Sequence, residues 1–382
     1  MTPETSARTA QEMEFTVKKF DLVGELEMTQ GVVERKTTIP ILSNILCEVK
    51  GNRLAITATD LELSIHASCE AKVKKEGAGT IPAKKLLDLV RLLPEEEIRF
   101  KLQENHWIHI SCDRRNYRLV GMSKENFPAL PAFPQPLVQI PAALLADAIA
   151  KTTFAISLEE SRYTLNGALL VIKPGSLTMV ATDGHRLAMV ETNHKFEGFS
   201  GEARLLVPKK AMTEVQRLAA QSEPDALVEF AQDESHLFFK FDGRLLTSRK
   251  LTGQFPNYEA VLPRDANKTV VLERGELQDA LRRVSQLADQ RSHAVKFVLA
   301  KEGLEISASS PEYGEAKEAI EKEFKGEPIA IGFNAQYLLD FLAAAPDGPI
   351  SFELKDEQSA GQLRPLADES SRYRYVVMPM RI

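Results

Sequence analysis

Leu177-Thr178-Met179-Val180-Ala181-Thr182-Asp183 is an alternating apolar run that ends in a polar turn, and it has two counterparts in the chain. Leu54, Ile56 and Ala58 lead to Thr59-Asp60, and Leu304, Ile306 and Ala308 lead to Ser309-Ser310. The three runs start 123 and 127 residues apart. Alternation with period two marks half-buried strands, and a fixed long spacing marks an internal repeat. Some twenty residues after each run comes a short apolar lead-in to a helix: Ile81-Pro82-Ala83, Val207-Pro208-Lys209 and Ile331-Gly332-Phe333-Asn334, spaced 126 and 124 residues apart. Phe127-Pro128 returns as Phe255-Pro256 after 128 residues. The chain therefore reads as three copies of one domain, each a strand, a helix, several strands, a second helix and a terminal hairpin.

The helices follow a 3.6-residue period. Leu277, Leu281, Val284 and Ala288 form one apolar face in the third copy, and Leu144, Leu145, Ala148 and Ile149 follow Pro141 in the second. The second helices carry Leu86, Val90 and Leu93; Met212, Val215 and Leu218; and Leu338, Phe341 and Leu342. Two helices against antiparallel strands make an α+β domain with its helices on one sheet face. Pro-rich residues 128–136 and residues 256–267 mark the junctions. The expected division is a disordered tail over 1–12, then repeated domains over 13–133, 134–262 and 263–382.

With 382 residues the chain is too long for a single small domain. Apolar residues make up 43% and charged residues 27%, and no run approaches the ~18 apolar residues of a membrane span, so disorder and membrane insertion are not expected. The first twelve residues have no apolar segment of the kind a secretory signal needs. Cys47, Cys69 and Cys112 show neither CxxC spacing nor nearby histidines, and read as reduced thiols of a cytoplasmic protein. No dinucleotide or phosphate-loop glycine motif occurs, so neither cofactor nor metal is expected.

The net charge is −6, from 48 basic and 54 acidic residues, which excludes a basic coating over the whole surface. The basic residues instead gather on helices: Lys84, Lys85 and Arg91; Lys209, Lys210 and Arg217; and Arg274, Arg282, Arg283 and Arg291. Acids gather elsewhere, as in Glu95-Glu96-Glu97. One electropositive lane on an acidic body suits phosphate contacts without base reading, although ordinary solvated helix faces would look the same.

Two stretches invite chemical readings. Asp183, His185 and Arg186 could supply an acid, a base and an anion contact, which would make a hydrolase. The structural alternative is a turn in which Asp183 bonds local backbone and Gly184 takes a positive φ. The C-terminal Tyr375-Val376-Val377-Met378-Pro379-Met380 is either a closing edge strand or, through its methionines, part of an adaptable apolar groove.

Ala181-Thr182-Asp183-Gly184-His185-Arg186-Leu187-Ala188, Arg162-Tyr163-Thr164-Leu165-Asn166-Gly167, Ile39-Pro40-Ile41-Leu42 and Val376-Val377-Met378-Pro379-Met380-Arg381 together resemble the bacterial DNA polymerase III beta subunit family of sliding clamps, over residues 13–382. The resemblance implies three clamp domains per chain and a head-to-tail homodimer closed into a six-domain ring. Such a ring encircles duplex DNA independently of sequence and performs no chemistry. Through a short peptide motif it tethers the polymerase III alpha subunit, the clamp loader, other polymerases and repair proteins.

Position by position, the resemblance assigns DNA contacts to Lys36, Lys84 and Tyr163, and to the same loop's Glu159 and Thr164, where relatives can carry Gln and a second Tyr. The peptide groove falls on Leu165, Thr182, Gly184, His185, Arg186, Leu187, Pro256, Val261, Val377, Met378, Pro379 and Met380, with Ala260 in place of an Arg found in some relatives. At the ring seam Tyr117 and Leu119 would meet Gln286 and Leu287. A hydrolase built on Asp183 and His185, and a purely structural repeat scaffold, remain as the competing readings at this level.

Overall fold

The structure, a computed structural model, describes residues 12–33, 38–103, 105–367 and 370–381. Apart from Glu12, the expected tail over 1–12 lies outside the described residues, as does Lys36.

Six helices are present among the described residues: α1 (Lys19–Thr29), α2 (Ala83–Leu92), α3 (Ala142–Ala150), α4 (Lys209–Ala219), α5 (Arg274–Val284) and α6 (Ala335–Ala344). Each starts on the residue after a strand ends. These lead strands are Met13–Lys18, Gly77–Pro82, Val138–Pro141, Ala203–Pro208, Lys268–Glu273 and Ile329–Asn334. Three end in proline, which cannot donate to a ladder but has a φ ready for the first helical turn. Asn334 uses another device, its side-chain oxygen accepting the Tyr337 N–H at 3.2 Å as an N-cap.

The lead strands begin at 13, 77, 138, 203, 268 and 329, which is 61 to 65 residues apart. The repeat of about 125 residues is thus itself double. Each half is a lead strand, a helix and three strands, with Lys72–Lys75 as one added strand. The three strands form an antiparallel meander, and the two halves of a copy exchange lead strands: Gly77–Pro82 pairs with Asn44–Lys50, and Met13–Lys18 with Glu97–Leu102.

Third strands then join meanders to one another. Arg244–Arg249 pairs with Leu63–Glu70 (Leu246 opposite Ile65), and Arg186–Asn193 pairs with Ser371–Val377 (Leu187 opposite Val376). Each junction creates an eight-stranded antiparallel sheet. The third strands Arg115–Val120 and Gly314–Glu321 have no such partner and stand at the outer edges of a five- and a four-stranded sheet.

Sheet continuity also decides how the chain divides. One compact unit comprises residues 1–139 and 217–249; the other comprises 140–216 and 250–382. The middle copy is shared because each of its meanders is sewn into a different sheet.

In the first unit, Phe230, Phe238, Phe239 and Phe241 are buried on one eight-stranded sheet, and Phe15 and Phe100, stacked at 4.9 Å, are buried on the five-stranded one. The second unit is built around Phe297, Phe333 and Phe352, whose ring centroids lie 5.7 Å apart, and around Phe341 stacked on Tyr375 at 4.8 Å.

Two expectations need correction. Ala288 is buried but not helical, because α5 ends at Val284 and a 3-10 turn, Ser285–Leu287, follows. Arg217 and Arg274 do not serve a solvent face. Arg217 donates to the Glu27 and Met28 carbonyls at 3.1 and 2.6 Å, and Arg274 to the Leu342 carbonyl at 2.8 Å. Both cap the C-terminal turn of another helix, where unpaired carbonyls and the helix dipole favour a cation. Lys19 does the same for the Leu93 carbonyl at the end of α2.

Phe341 is fully buried against two tyrosine rings. Phe341→Ala is expected to lose about 3–5 kcal/mol from the second unit's stability. Urea unfolding followed by far-UV circular dichroism measures this, and a loss under about 1 kcal/mol would contradict the packing described.

Candidate functional site

The strand Ser176–Thr182 returns as Arg186–Asn193 through a turn that the local sequence dictates. Asp183 Oδ1 accepts the backbone N–H groups of His185 and Arg186 at 2.9 and 3.1 Å. Thr182 Oγ1 donates to the Arg186 carbonyl at 2.6 Å and accepts the Gly184 N–H at 3.1 Å. The first copy builds the same turn, with Asp60 accepting from Glu62 and Leu63 and Thr59 accepting from Leu61. Leu61 holds φ at +78° there, whereas Gly184 meets φ of +90° with no Cβ to strain it.

This geometry removes the acid–base reading. Asp183 Oδ1 is filled by two N–H groups, and Oδ2 accepts Arg186 Nε at 2.9 Å. His185 is exposed and contributes its carbonyl, which accepts the Met378 N–H at 2.9 Å.

That last bond shows how the turn meets the C-terminus. Val377 lies opposite Arg186 at the end of the inter-sheet junction, so the following Met378 comes alongside His185. The chain then crosses to the lead strand of α6, where the Met380 N–H donates to the Gly332 carbonyl at 2.8 Å. Met378 is 45% exposed, and Pro379 and Met380 are half-buried. Beside them, on one face of the sheet, an apolar floor joins Leu169, Val180, Leu187, Met189, Leu206, Tyr258 and Val376. Phe255 and Leu262 pack onto that floor from the second junction. The same junction places Pro256 and Val261 at the surface; Ala260, also exposed, precedes Val261. Leu165 and Thr182 are buried. Sheet pairing thus unites residues nearly two hundred positions apart.

Arg186, expected as a groove residue, is half-buried and its side chain is fully engaged. Its side chain is 9% exposed, reaches Asp340 on α6 at 2.6 Å and the Phe154 carbonyl at 2.7 Å, and lies 4.3 Å from the Tyr337 ring centroid. Burial works against its charge, yet the Asp340 and Asp183 carboxylates raise its pKa overall. What these contacts do is hold the turn in position against α6 and the Phe154 segment.

Arg162 was overlooked as a site residue. Its Nε pairs with Glu159 at 3.0 Å and its Nη1 donates to the Asp183 carbonyl at 3.1 Å, linking the expected DNA loop to the groove turn. A Cβ on Gly184 would come within 2.8 Å of that guanidinium, so glycine also makes room for it. Gly253 was overlooked too. At φ of +110° it lies against the 3-10 segment Glu160–Leu165, where an added Cβ would meet Thr164 Cγ2 at 2.6 Å. Tyr163 in that segment is 56% exposed, and Thr164 is half-buried.

In the first unit Lys84 and Lys85 are exposed on the first turn of α2 and have no carboxylate partner among the described residues. Arg91 pairs with Glu27 at 2.7 Å. Tyr117 and Leu119 are half-buried on the unpaired strand Arg115–Val120, whereas Gln286 and Leu287 occupy the 3-10 turn after α5, in the unit that holds the other unpaired strand.

Cys47, Cys69 and Cys112 are free and buried; burial pushes the Cys69 thiol up to about 12, so it is a poor nucleophile. Among the described residues no cluster of three or more His, Cys, Asp or Glu could hold a metal ion, and no helix is long and apolar enough to cross a membrane.

Three family models match the chain in order: the DNA polymerase III beta subunit N-terminal domain over residues 13–131, its central domain over 139–257 and its C-terminal domain over 259–381. The beta sliding clamps of Pseudomonas putida and Pseudomonas aeruginosa are each 34% identical over 97% of this chain and all of theirs. The crystal structure of DNA polymerase III subunit beta from P. aeruginosa superposes with a TM-score of 0.91 at 34% identity, covering 97% of this chain and 100% of that one. The Bacillus subtilis sliding clamp structure gives 0.91 at 27% identity with the same coverage. Three consecutive clamp domains, each a doubled strand–helix–meander unit, make this chain a member of the DNA polymerase III beta subunit family, the beta sliding clamps.

Proposed function

We propose that two copies of this chain close head to tail into a ring that encircles duplex DNA and holds replication enzymes on it. One observation carries this reading: four of the six third strands are paired into eight-stranded sheets, and two are left over at Arg115–Val120 and Gly314–Glu321. An edge strand presents unmet backbone donors and acceptors, and the pattern inside the chain shows what satisfies them, namely another third strand, antiparallel. Because the two leftover strands differ, the contact is heterologous and two such contacts close a dimer. Their charges are complementary on balance: Arg115 and Arg118 on one, and Glu315, Glu318 and Glu321 against a single Lys317 on the other, with Glu318 also paired to Arg283. Tyr117 and Leu119, with Gln286 and Leu287, then supply apolar and polar contact at the seam.

A processivity clamp needs no catalytic group, which agrees with the spent Asp183 carboxylate. Its grip on DNA is topological, aided by exchangeable phosphate contacts from Lys84 and Tyr163; Glu159, paired with Arg162, adds no attraction for phosphate. The groove over Leu187, Val376 and Tyr258, walled by Met378, Pro379, Met380, Pro256 and Val261, takes a short extended peptide with Gln and bulky apolar residues. The polymerase III alpha subunit, the clamp loader, other polymerases and repair proteins would present such peptides, so tethering raises their concentration at the primer end.

Sedimentation velocity tests the seam. Reversing both arginines, Arg115→Glu with Arg118→Glu, is expected to weaken dimerisation by about tenfold or more, with salt weakening the unmodified dimer as well. A variant as dimeric as the parent at every salt concentration would contradict strand-to-strand closure.

Fluorescence anisotropy tests the groove. Deleting 378–382 removes the wall that Met378, Pro379 and Met380 form and is expected to abolish binding of a labelled Gln- and Leu-containing peptide while leaving the dimer intact. Unchanged peptide affinity would show that the groove lies elsewhere.

A further inference from the structure

The apolar floor does not end at the groove. Along the paired strands Arg186–Asn193 and Ser371–Val377, the residues on the groove face run Leu187 opposite Val376, then Met189 opposite Arg374, then Glu191 opposite Arg372. Val180 and then Thr178 continue the same face on the next strand, followed by Leu169 and Val171 beyond it. Each step along a strand face is two residues, about 6.6 Å. One step beyond the groove the face opens into a pocket of about 260 Å³, lined by Val171, Thr178, Met189, Tyr258 and Leu262, and by the charged Lys173, Arg264, Arg374, Glu191 and Glu259.

Three cations outnumber two acids here, and the acids are not equivalent to a filled site. Glu191 is drawn towards Arg372 at 3.6 Å. Lys173 has only a distant partner, Glu202 at 3.9 Å, and Arg264 is exposed with no ion-pair partner among the described residues. Arg374 donates Nε to Gln362 at 2.7 Å and Nη2 to the Pro263 carbonyl at 3.1 Å, which leaves Nη1 without an acceptor among the described residues. Burial, then the nearby Arg364 and Arg264 guanidiniums, hold the Arg374 pKa below its ordinary value despite the Glu353 carboxylate. An added anion would relieve that repulsion.

We propose that this pocket is an extension of the peptide groove that takes a carboxylate of the bound partner, two to three residues beyond its apolar anchor. The proposal rests on the groove reading above. The pocket's volume admits one side chain, its apolar wall is continuous with the groove floor, and its free donors match a carboxylate. The carboxylate is either an Asp or Glu side chain or the partner's own C-terminus. Partners carrying one would thereby outcompete those that end in neutral or basic residues.

The test is anisotropy with a parent peptide of Gln and bulky apolar residues, extended in turn at each end by Gly-Gly-Asp, Gly-Gly-Ala or Gly-Gly-Lys, each with a free or amidated C-terminus, against the full-length protein. At one end Asp is expected to bind about fivefold tighter than Ala, and Lys weaker than Ala. Arg264→Ala and Lys173→Ala should each reduce that gain while leaving parent affinity unchanged. A gain that follows the free C-terminus and disappears on amidation also supports the pocket, with the terminus as its source. Parent binding with no preference among the extensions, a preference for Lys, or an Asp gain untouched by both variants would overturn the proposal. Failure of the parent peptide itself to bind would instead defeat the groove reading, and this proposal with it.

Discussion

A β-strand at the edge of a sheet carries a row of backbone groups that must be hydrogen-bonded by something, and in this chain that requirement organises everything above the single domain. Each half-repeat makes a meander with one side closed by an exchanged lead strand and the other side open. Two pairs of open sides close on each other within the chain. The remaining pair makes the chain unfinished as a monomer, and the same antiparallel bond that builds its sheets is available to complete it in a second copy. A clamp has to be continuous to hold DNA and yet open to be loaded. The proposed closure through two strand-edge contacts would give both, because backbone pairing is strong in sum and local enough to separate at one place.

The proposed groove depends on the same junction. Pairing Arg186–Asn193 with Ser371–Val377 brings the Asp183 turn against the chain end, and the turn keeps its shape through Asp183, Thr182 and the glycine at positive φ. Arg186 then fastens the turn to α6 through Asp340 and to the Phe154 segment through a backbone carbonyl. Asp183 and Arg186, which a chemist would first suspect of catalysis, have their hydrogen-bonding capacity already used, and His185 engages the chain end through its backbone carbonyl. What is left at the surface is apolar: exposed Met378 with half-buried Pro379 and Met380, side chains suited to several similar peptides.

Much of this was legible in the sequence. The alternating runs at Leu54, Leu177 and Leu304 are strands, the lead-ins at Pro82 and Pro208 pass directly into helices, and Thr182-Asp183-Gly184 is the turn its residue types favour. Those features are local, decided by side-chain period and by hydrogen bonds between near neighbours. The doubling of each repeat was not legible, because the two halves share a path but not a residue pattern that a single sequence exposes. Nor were the roles of Arg217 and Arg274, since a cation on a helix looks the same whether it faces water or the carbonyl end of another helix. Arg162 and Gly253 matter through contacts across 21 and 89 residues of chain, which no local spacing encodes. The groove and seam positions came from the resemblance; the structure shows which strands and turns carry them, with the Asp183 turn set beside the C-terminal strand.

The central claim is a closed ring whose hold on DNA is topological. The most direct test loads labelled protein onto nicked circular DNA with its clamp loader and ATP, removes free protein at physiological salt, and cuts the circle once with a restriction enzyme. Release on linearisation, with stable retention on the uncut circle, is the result this account requires. Retention that survives the cut would mean ordinary surface binding and would contradict it.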